Sequence, residues 1–367
     1  MRVVVAPDSF GGTLRADQAA AAIAAGWREM APADEIVCRP LSDGGPGLVA
    51  ALAAALSGAQ RIPVDCSGPT GQPIVADILR SGPTGYVESA AACGLEELRA
   101  LGGDVRTATT YGVGQLVTAA AALAGVEVVV VGLGGSGSND GGAGLWAALG
   151  ASPAEVLRGG GAALRGVEAV TAPDPLGVRL VAATDVDNPL LGLTGASAVY
   201  GPQKGANRDA VMSLDLALGD WADAVEAAIG RPGVRDRAGA GAAGGLGFGL
   251  LALGAERVSG SELVISAVGL AERIESADLV VTGEGHFDET SLRGKVPAAV
   301  ARLAQAAGVP CVVVAGQSSL GARVAAASGV DEVWSVAGEL GSVDAALAAG
   351  ADGVRAVGRA VARSWSR

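Results

Sequence analysis

The sequence predicts an α/β protein: a parallel sheet covered by helices, with a second, mixed α/β domain inserted within the first. Three observations carry this. Short Val-rich runs at 2–6, 127–131, 279–282 and 311–315, with a weaker one at 332–336, end in glycine or a small polar residue and lead into Ala/Leu stretches. That is the alternation of parallel strands with crossover helices. Residues 61–105 and 179–205 read differently, with scattered Pro and Gly and short extended pieces at 74–79 and 85–88. Finally, 367 residues exceed what one compact core usually holds. The expected division is 1–62 with 275–367 as one discontinuous domain and 63–274 as the other.

Composition narrows the class further. Half the residues are hydrophobic but only 3% are aromatic, so small and branched aliphatics build the core. Fifty-eight glycines without a collagen-like period point to tight turns and close backbone approaches. A formal charge of −12 with no Lys/Arg cluster argues against nucleic-acid and anionic-membrane partners, which need a basic face. The apolar stretch 238–255 is near membrane-span length, but seven of its eighteen residues are glycine, so a buried segment of a soluble domain is expected. Four cysteines show neither metal-ligand nor disulfide-framework spacing, and the first residues lack a signal-peptide layout. The expected address is the cytoplasm.

Rare residue types locate the candidate site. Arg is abundant, yet the only lysines are Lys204 and Lys295; the only asparagines are Asn139, Asn188 and Asn207, and the only histidine is His286. All fall in glycine- and acid-rich loops: GGSGSNDGG, TDVDNPLLG, GPQKGANRD and TGEGHFDETSLRGK. Lysine kept where arginine is freely used suggests a compact ammonium at work. The competing explanation is that these are ordinary turns, for which Asn is favoured.

The run 126–132 reads as a buried strand, and GLGGSGSNDGGAG then opens a helix near Ala143. Glycines and hydroxyls there can wrap an oxyanion at a helix N-terminus. Gly132, Gly134 and Gly137 spell G-x-G-x-x-G, but the acid that should follow about 20 residues on is missing. Dinucleotide binding therefore stays a minor alternative. Acids beside strand ends are Asp8, Asp43, Asp140, Asp185 with Asp187, and Glu284 with Asp288. In parallel sheets, ligands bind where strand C-termini give way to loops. Phosphoryl transfer needs a metal on carboxylates and phosphates, a base for the attacking hydroxyl, and cations for the moving charge.

In order along the chain, APDSF, SDGG, GGSGSNDGGAG, DVDNPLLG, GPQKGA and TGEG…GK resemble the bacterial type I glycerate kinase family, from the first strand to at least Lys295. The resemblance implies ATP and Mg²⁺, D-glycerate as acceptor and 2-phosphoglycerate as product. It also implies two α/β domains, one Rossmann-like, with the site in the cleft between them. The expected catalytic residues are Asp187, Asp288, Lys295, Lys204 and Asp43, with Asp187 and Asp140 as metal ligands. Gly134, Gly135, Ser136, Ser138, Asn139, Gly283 and Glu284 are expected to hold nucleotide or phosphate. Asp8, Ser9, Asn188 and His286 are expected at the acceptor. The expected partners are ATP and a small hydroxy acid, and the expected assembly is a monomer or homodimer.

The chain also departs from that family. Gly11 and Gly12 follow APDSF where relatives carry Lys and then Gly or Glu; Pro46 replaces a glutamate, His286 an arginine and Thr290 a glutamine. These changes leave another small hydroxy acid open as acceptor. A catalytically idle, metabolite-binding relative and a nicotinamide-dependent oxidoreductase are the remaining alternatives.

Overall fold

Valine-rich runs become strands because β-branched side chains pack well on a pleated, buried surface. The computed structural model describes residues 1–11, 13–292 and 295–366; Gly12, noted above beside Gly11, lies outside them. The described strands are β1 (Arg2–Pro7), β2 (Glu35–Cys38), β3 (Gln60–Ser67), β4 (Pro73–Ser81), β5 (Thr84–Glu88), β6 (Val128–Gly132), β7 (Arg179–Ala183), β8 (Glu256–Val258), β9 (Leu279–Phe287), β10 (Cys311–Ser318) and β11 (Glu332–Ser335). They form two sheets within two compact units. Unit 1 comprises Met1–Asp43, Ala50–Ser57 and Ser261–Arg367, and unit 2 comprises Gly44–Val49 and Gly58–Gly260.

The sheet of unit 1 has the order β11-β10-β9-β1-β2 and is parallel throughout. Val3, Val5, Leu279, Val281, Val312 and Val314 share one core with Ile23, Trp27, Val357 and Val361. The alternate Val4, Val280 and Val313 are also fully buried, because helix Val296–Ala307 packs on β1, β9 and β10. Both faces are therefore covered, as a parallel sheet requires. On the first face, helices Ala16–Met30 and Val343–Trp365 cross at two glycines. A Cβ at Gly26 would stand 2.0 Å from the Arg355 carbonyl oxygen, and one at Gly358 would stand 2.6 Å from that of Ile23. Either side chain would force the helices apart.

Unit 2 holds a six-stranded mixed sheet, β3-β4-β5-β6-β7-β8, antiparallel from β3 to β5 and parallel from β5 to β8. Its core is centred on Trp146 and Trp221, packed edge to face at 5.5 Å. Each indole N–H is satisfied by a backbone carbonyl, Trp146 by Gly249 at 2.9 Å and Trp221 by Gly141 at 3.0 Å. The glycine-rich stretch of 238–255 lies in this core as the helical span Ala242–Ala252, kinked where Ala243, Gly244 and Gly245 take left-handed dihedrals. No helix among the described residues is long and apolar enough to cross a membrane.

Candidate active site

Three strand ends of unit 1 converge. Asp8 follows the last residue of β1, and its N–H donates to the Gly283 carbonyl at 2.8 Å. The chain leaving β2 runs on beside β1 through Arg39 N–H to Val5 O and Leu41 N–H to Pro7 O, which carries it to Asp43. Glu284 sits near the end of β9, level with Ala315 on β10. Together Asp8, Ser9, Asp43, Glu284, His286 and Lys295 line one cavity of about 390 Å³, with Gln317 and Thr13. This lies at the C-terminal edge of a parallel sheet, where loops diverge and leave a crevice.

Electrostatics mark the cavity as more than a void. Burial raises the Glu284 carboxyl to about 7, and the negative charges of Asp288 and Asp43 add to that, against a hydrogen bond from Ser291 and attraction to Lys295. Loss of solvent likewise raises Asp8 well above its ordinary value, and Asp43 and then Glu284 push it the same way. The Ser9 N–H, 2.6 Å from an Asp8 oxygen, and Lys295 oppose this. Glu284 Oε1 is buried and has no hydrogen-bond partner among the described residues. A buried carboxylate oxygen without a donor is costly unless something else completes it. Lys295 occupies the N-cap position of helix Val296–Ala307; Arg293 and Gly294, just before it, lie outside the described residues.

Asp288 is differently placed. Its Oδ1 accepts from the Thr290 hydroxyl at 2.6 Å and the Thr290 N–H at 2.8 Å, and these hold its carboxyl below the usual range. Asp288 thus organises the turn of residues 288–291, and its Oδ2 faces His286 Nδ1 at 4.0 Å. The other ring nitrogen of His286 lies 3.4 Å from Ser319 Oγ. Gly283, expected to admit a phosphate, has another reason to be glycine: a Cβ there would stand 2.0 Å from the Val314 carbonyl oxygen of the neighbouring strand.

In unit 2 the GGSGSNDGG loop is packed closely against protein at Gly134 and Gly135. A Cβ on Gly134 would meet Gly45 Cα at 2.5 Å, and one on Gly135, at φ +66°, would meet Pro46 Cγ at 2.4 Å. The loop's acid is also fully engaged. Asp140 is buried and accepts from Thr110 N–H and Oγ1, Gly142 N–H and Gly144 N–H at 2.7–3.2 Å. The Asp140 carboxylate thus fastens the start of helix Ala143–Ala148, a structural role beside the metal role expected of it. Among the described residues no group of three or more His, Cys, Asp or Glu is set to hold a metal.

Lys204 is buried, and its ammonium donates to Ser136 Oγ at 3.0 Å and to the Ser138 carbonyl at 2.6 Å. Burial brings it down to about 8, against the attraction of Cys93 and Asp140. Asn139 donates to Ser197 Oγ at 2.9 Å. Asn188 bridges the Tyr200 hydroxyl and the Thr194 carbonyl. Asp187, largely exposed, pairs with Arg257 at 2.5 Å. Asn207 caps helix Arg208–Ile229 through Ala210 N–H, so the ordinary-turn explanation holds for this asparagine.

Sequence reasoning missed Gln317, although it follows the Val-rich core of β10 at a strand end like the acids that were chosen. It also missed the apolar part of the cavity lining, most of which comes from Val336 and from Val343, Leu347 and Val354 of the C-terminal helix, far along the chain and outside any motif.

Known proteins bear on this site. Residues 3–366 match the model described as the glycerate kinase family. Glycerate 2-kinase of Escherichia coli (strain K12) is 39% identical, covering 99% of this chain and 97% of that one. An uncharacterised protein of Mycobacterium tuberculosis (strain CDC 1551 / Oshkosh) is 43% identical over 95% of this chain and 87% of its own. A crystal structure described as glycerate kinase 2 from Salmonella typhimurium LT2 superposes with a TM-score of 0.78 at 36% identity, covering 99% of this chain and 98% of that one.

Proposed function

The chain belongs to the glycerate kinase family, and we propose that it moves the γ-phosphoryl group of ATP to a hydroxyl of D-glycerate, giving 2-phospho-D-glycerate and ADP. The observation that supports this best is the unit 1 cavity, where three carboxylates and Lys295 meet at the ends of parallel strands. A carboxyl raised to about 7 is divided between its acid and base forms near neutral pH. Glu284 can thus take the hydroxyl proton as the oxygen attacks phosphorus, a contribution of about 10² to 10⁴ in rate. Lys295 supplies positive charge to the transferring phosphoryl group.

Asp8 and Asp43 are the residues proposed to hold Mg²⁺. Such an ion takes one or two carboxylates and leaves its other positions to phosphates and water, so a pair of mutually repelling acids fits it. When bound, Mg²⁺ neutralises charge on the nucleotide phosphates. Asp288 keeps the turn of residues 288–291 in shape, and His286, with Ser9, is proposed to face the acceptor's carboxylate. From unit 2, Asp187 and Asn188 remain proposed contacts on the loop after β7, and Lys204 with Ser136 and Ser138 a proposed phosphate anchor. The cytoplasm is the proposed location of the reaction.

The test is ADP release across D-glycerate, glycolate, lactate and tartronate, with ³¹P NMR locating the phosphate on the product. Glycerate-dependent turnover yielding the 2-phosphate is expected. Turnover only on another acid would move the acceptor, and none on any of the four would reject the kinase reading for this panel.

A further inference from the structure

The lining of the unit 1 cavity mixes two chemistries. Besides the acids and Lys295 it includes six apolar side chains, Phe10, Leu14, Val336, Val343, Leu347 and Val354. Phe10, Val336 and Val354 are buried, whereas Val343 and Leu347 are 42% and 58% exposed. These two stand four residues apart on helix Val343–Trp365 and so share a face. The helix is broken at Gly350, with φ 49° and ψ −125°. The break separates the first turns from the part whose Val354, Val357 and Val361 enter the unit 1 core.

A three-carbon hydroxy acid is polar at every carbon and fills a small part of 390 Å³, a volume within the usual range for cofactor-sized ligands of about 300–1,000 Å³. Phosphates seek cations and N–H groups. Neither gains from contact with valine and leucine. The remaining part of a nucleoside triphosphate is a flat ring with apolar faces, and burying such a face against exposed aliphatic side chains is favourable.

We propose that Val343 and Leu347, with Phe10 and Leu14, form the nucleobase subsite of this cavity, so that the nucleotide enters base against the C-terminal helix and phosphates toward Lys295. The proposal rests on the kinase reading above. It also assigns the broken helix a purpose: the first turns are positioned as a wall of the cavity instead of being drawn into the core.

The experiment uses the full chain and the uncharged variants Leu347→Asn and Val343→Asn, whose exposed positions tolerate a polar side chain. Calorimetry with Mg²⁺ compares ATP with inorganic tripolyphosphate, which keeps the phosphates and lacks the base. The double variant is expected to weaken ATP about tenfold while tripolyphosphate binding changes less than twofold. Unchanged ATP affinity in a folded variant, or equal losses for both ligands, overturns the subsite and leaves the kinase reading standing. An unaltered chain that binds neither ligand and phosphorylates nothing overturns both.

Discussion

Asp140 in unit 2 and Glu284 in unit 1 are both buried acids in glycine-rich loops, each with a lysine near it, yet their surroundings differ in kind. Asp140 receives four hydrogen bonds from Thr110, Gly142 and Gly144, and Lys204 beside it is held by Ser136 and the Ser138 carbonyl. Glu284 has a buried oxygen with no partner among the described residues and borders a cavity shared with Asp8, Asp43 and Lys295. The same residue types thus make a saturated carboxylate in one unit, with Ser138 Oγ and Asn139 Oδ1 beside it left without partners among the described residues, and an unsaturated carboxylate lining a cavity in the other. What separates them is the supply of donors: where backbone N–H groups saturate a carboxylate it fixes a fold, and where they do not, a ligand can complete it.

The sharpest way to break this contrast is to neutralise both acids. Glu284→Gln should lower kcat by about 10² to 10⁴ with thermal stability equal or higher, since it removes a buried, poorly satisfied acid. Asp140→Asn should do the reverse, costing about 3 kcal/mol of stability while the folded fraction keeps its kcat. Steady-state kinetics beside thermal melts reads both. If Asp140→Asn lost turnover at full stability, Asp140 would belong to the active site after all.

A comparable but purely structural effect is expected at Gly135. Valine there meets both the left-handed φ of +66° and Pro46 Cγ, a combined cost of about 3 kcal/mol. The prediction is a lower melting temperature without a specific loss of nucleotide affinity. A well-folded Gly135→Val protein that cannot bind ATP would instead restore the loop to the site.

The same contrast also sets a pH dependence with two limbs. Folded Glu284 keeps its proton up to about 7, whereas the unfolded chain releases it near 4.5. The folded state therefore binds more protons in that window, and Glu284 makes stability fall as pH rises, by at most about 1.4 kcal/mol per unit. Lys204 acts oppositely. Folded, it releases its proton near 8, and unfolded near 10.5, so across that window stability rises with pH. Urea melts from pH 4 to 11 should show both limbs, with Glu284→Gln flattening the first and Lys204→Met the second. A first limb that persisted in Glu284→Gln would assign it to the other acids that burial raises, Asp8, Glu88, Asp140 and Asp215.

Legibility followed the same physical divide. Central strands β1, β6, β9 and β10 were readable because strands buried on both faces must be continuous runs of branched aliphatics. The strands β2, β3 and β8 were not, and all three lie at sheet edges. There half-exposed residues suffice, and β3 even carries Pro63, which an edge tolerates. The scarcity of lysine pointed to Lys204 and Lys295 without revealing that only one of them would line the cavity of unit 1.

By itself, then, the sequence determined the α/β class, the family and the loops that carry charge, because strand pattern and long motif strings are local properties. Tertiary structure alone decided the use of each loop. Whether Gly134 makes room for a phosphate or for Gly45 depends on a segment some ninety residues away in the chain. Whether a carboxylate is saturated, as Asp140 is by Thr110, or left to a cavity, as Glu284 is, depends on which distant N–H groups packing brings within reach, and no local pattern encodes that.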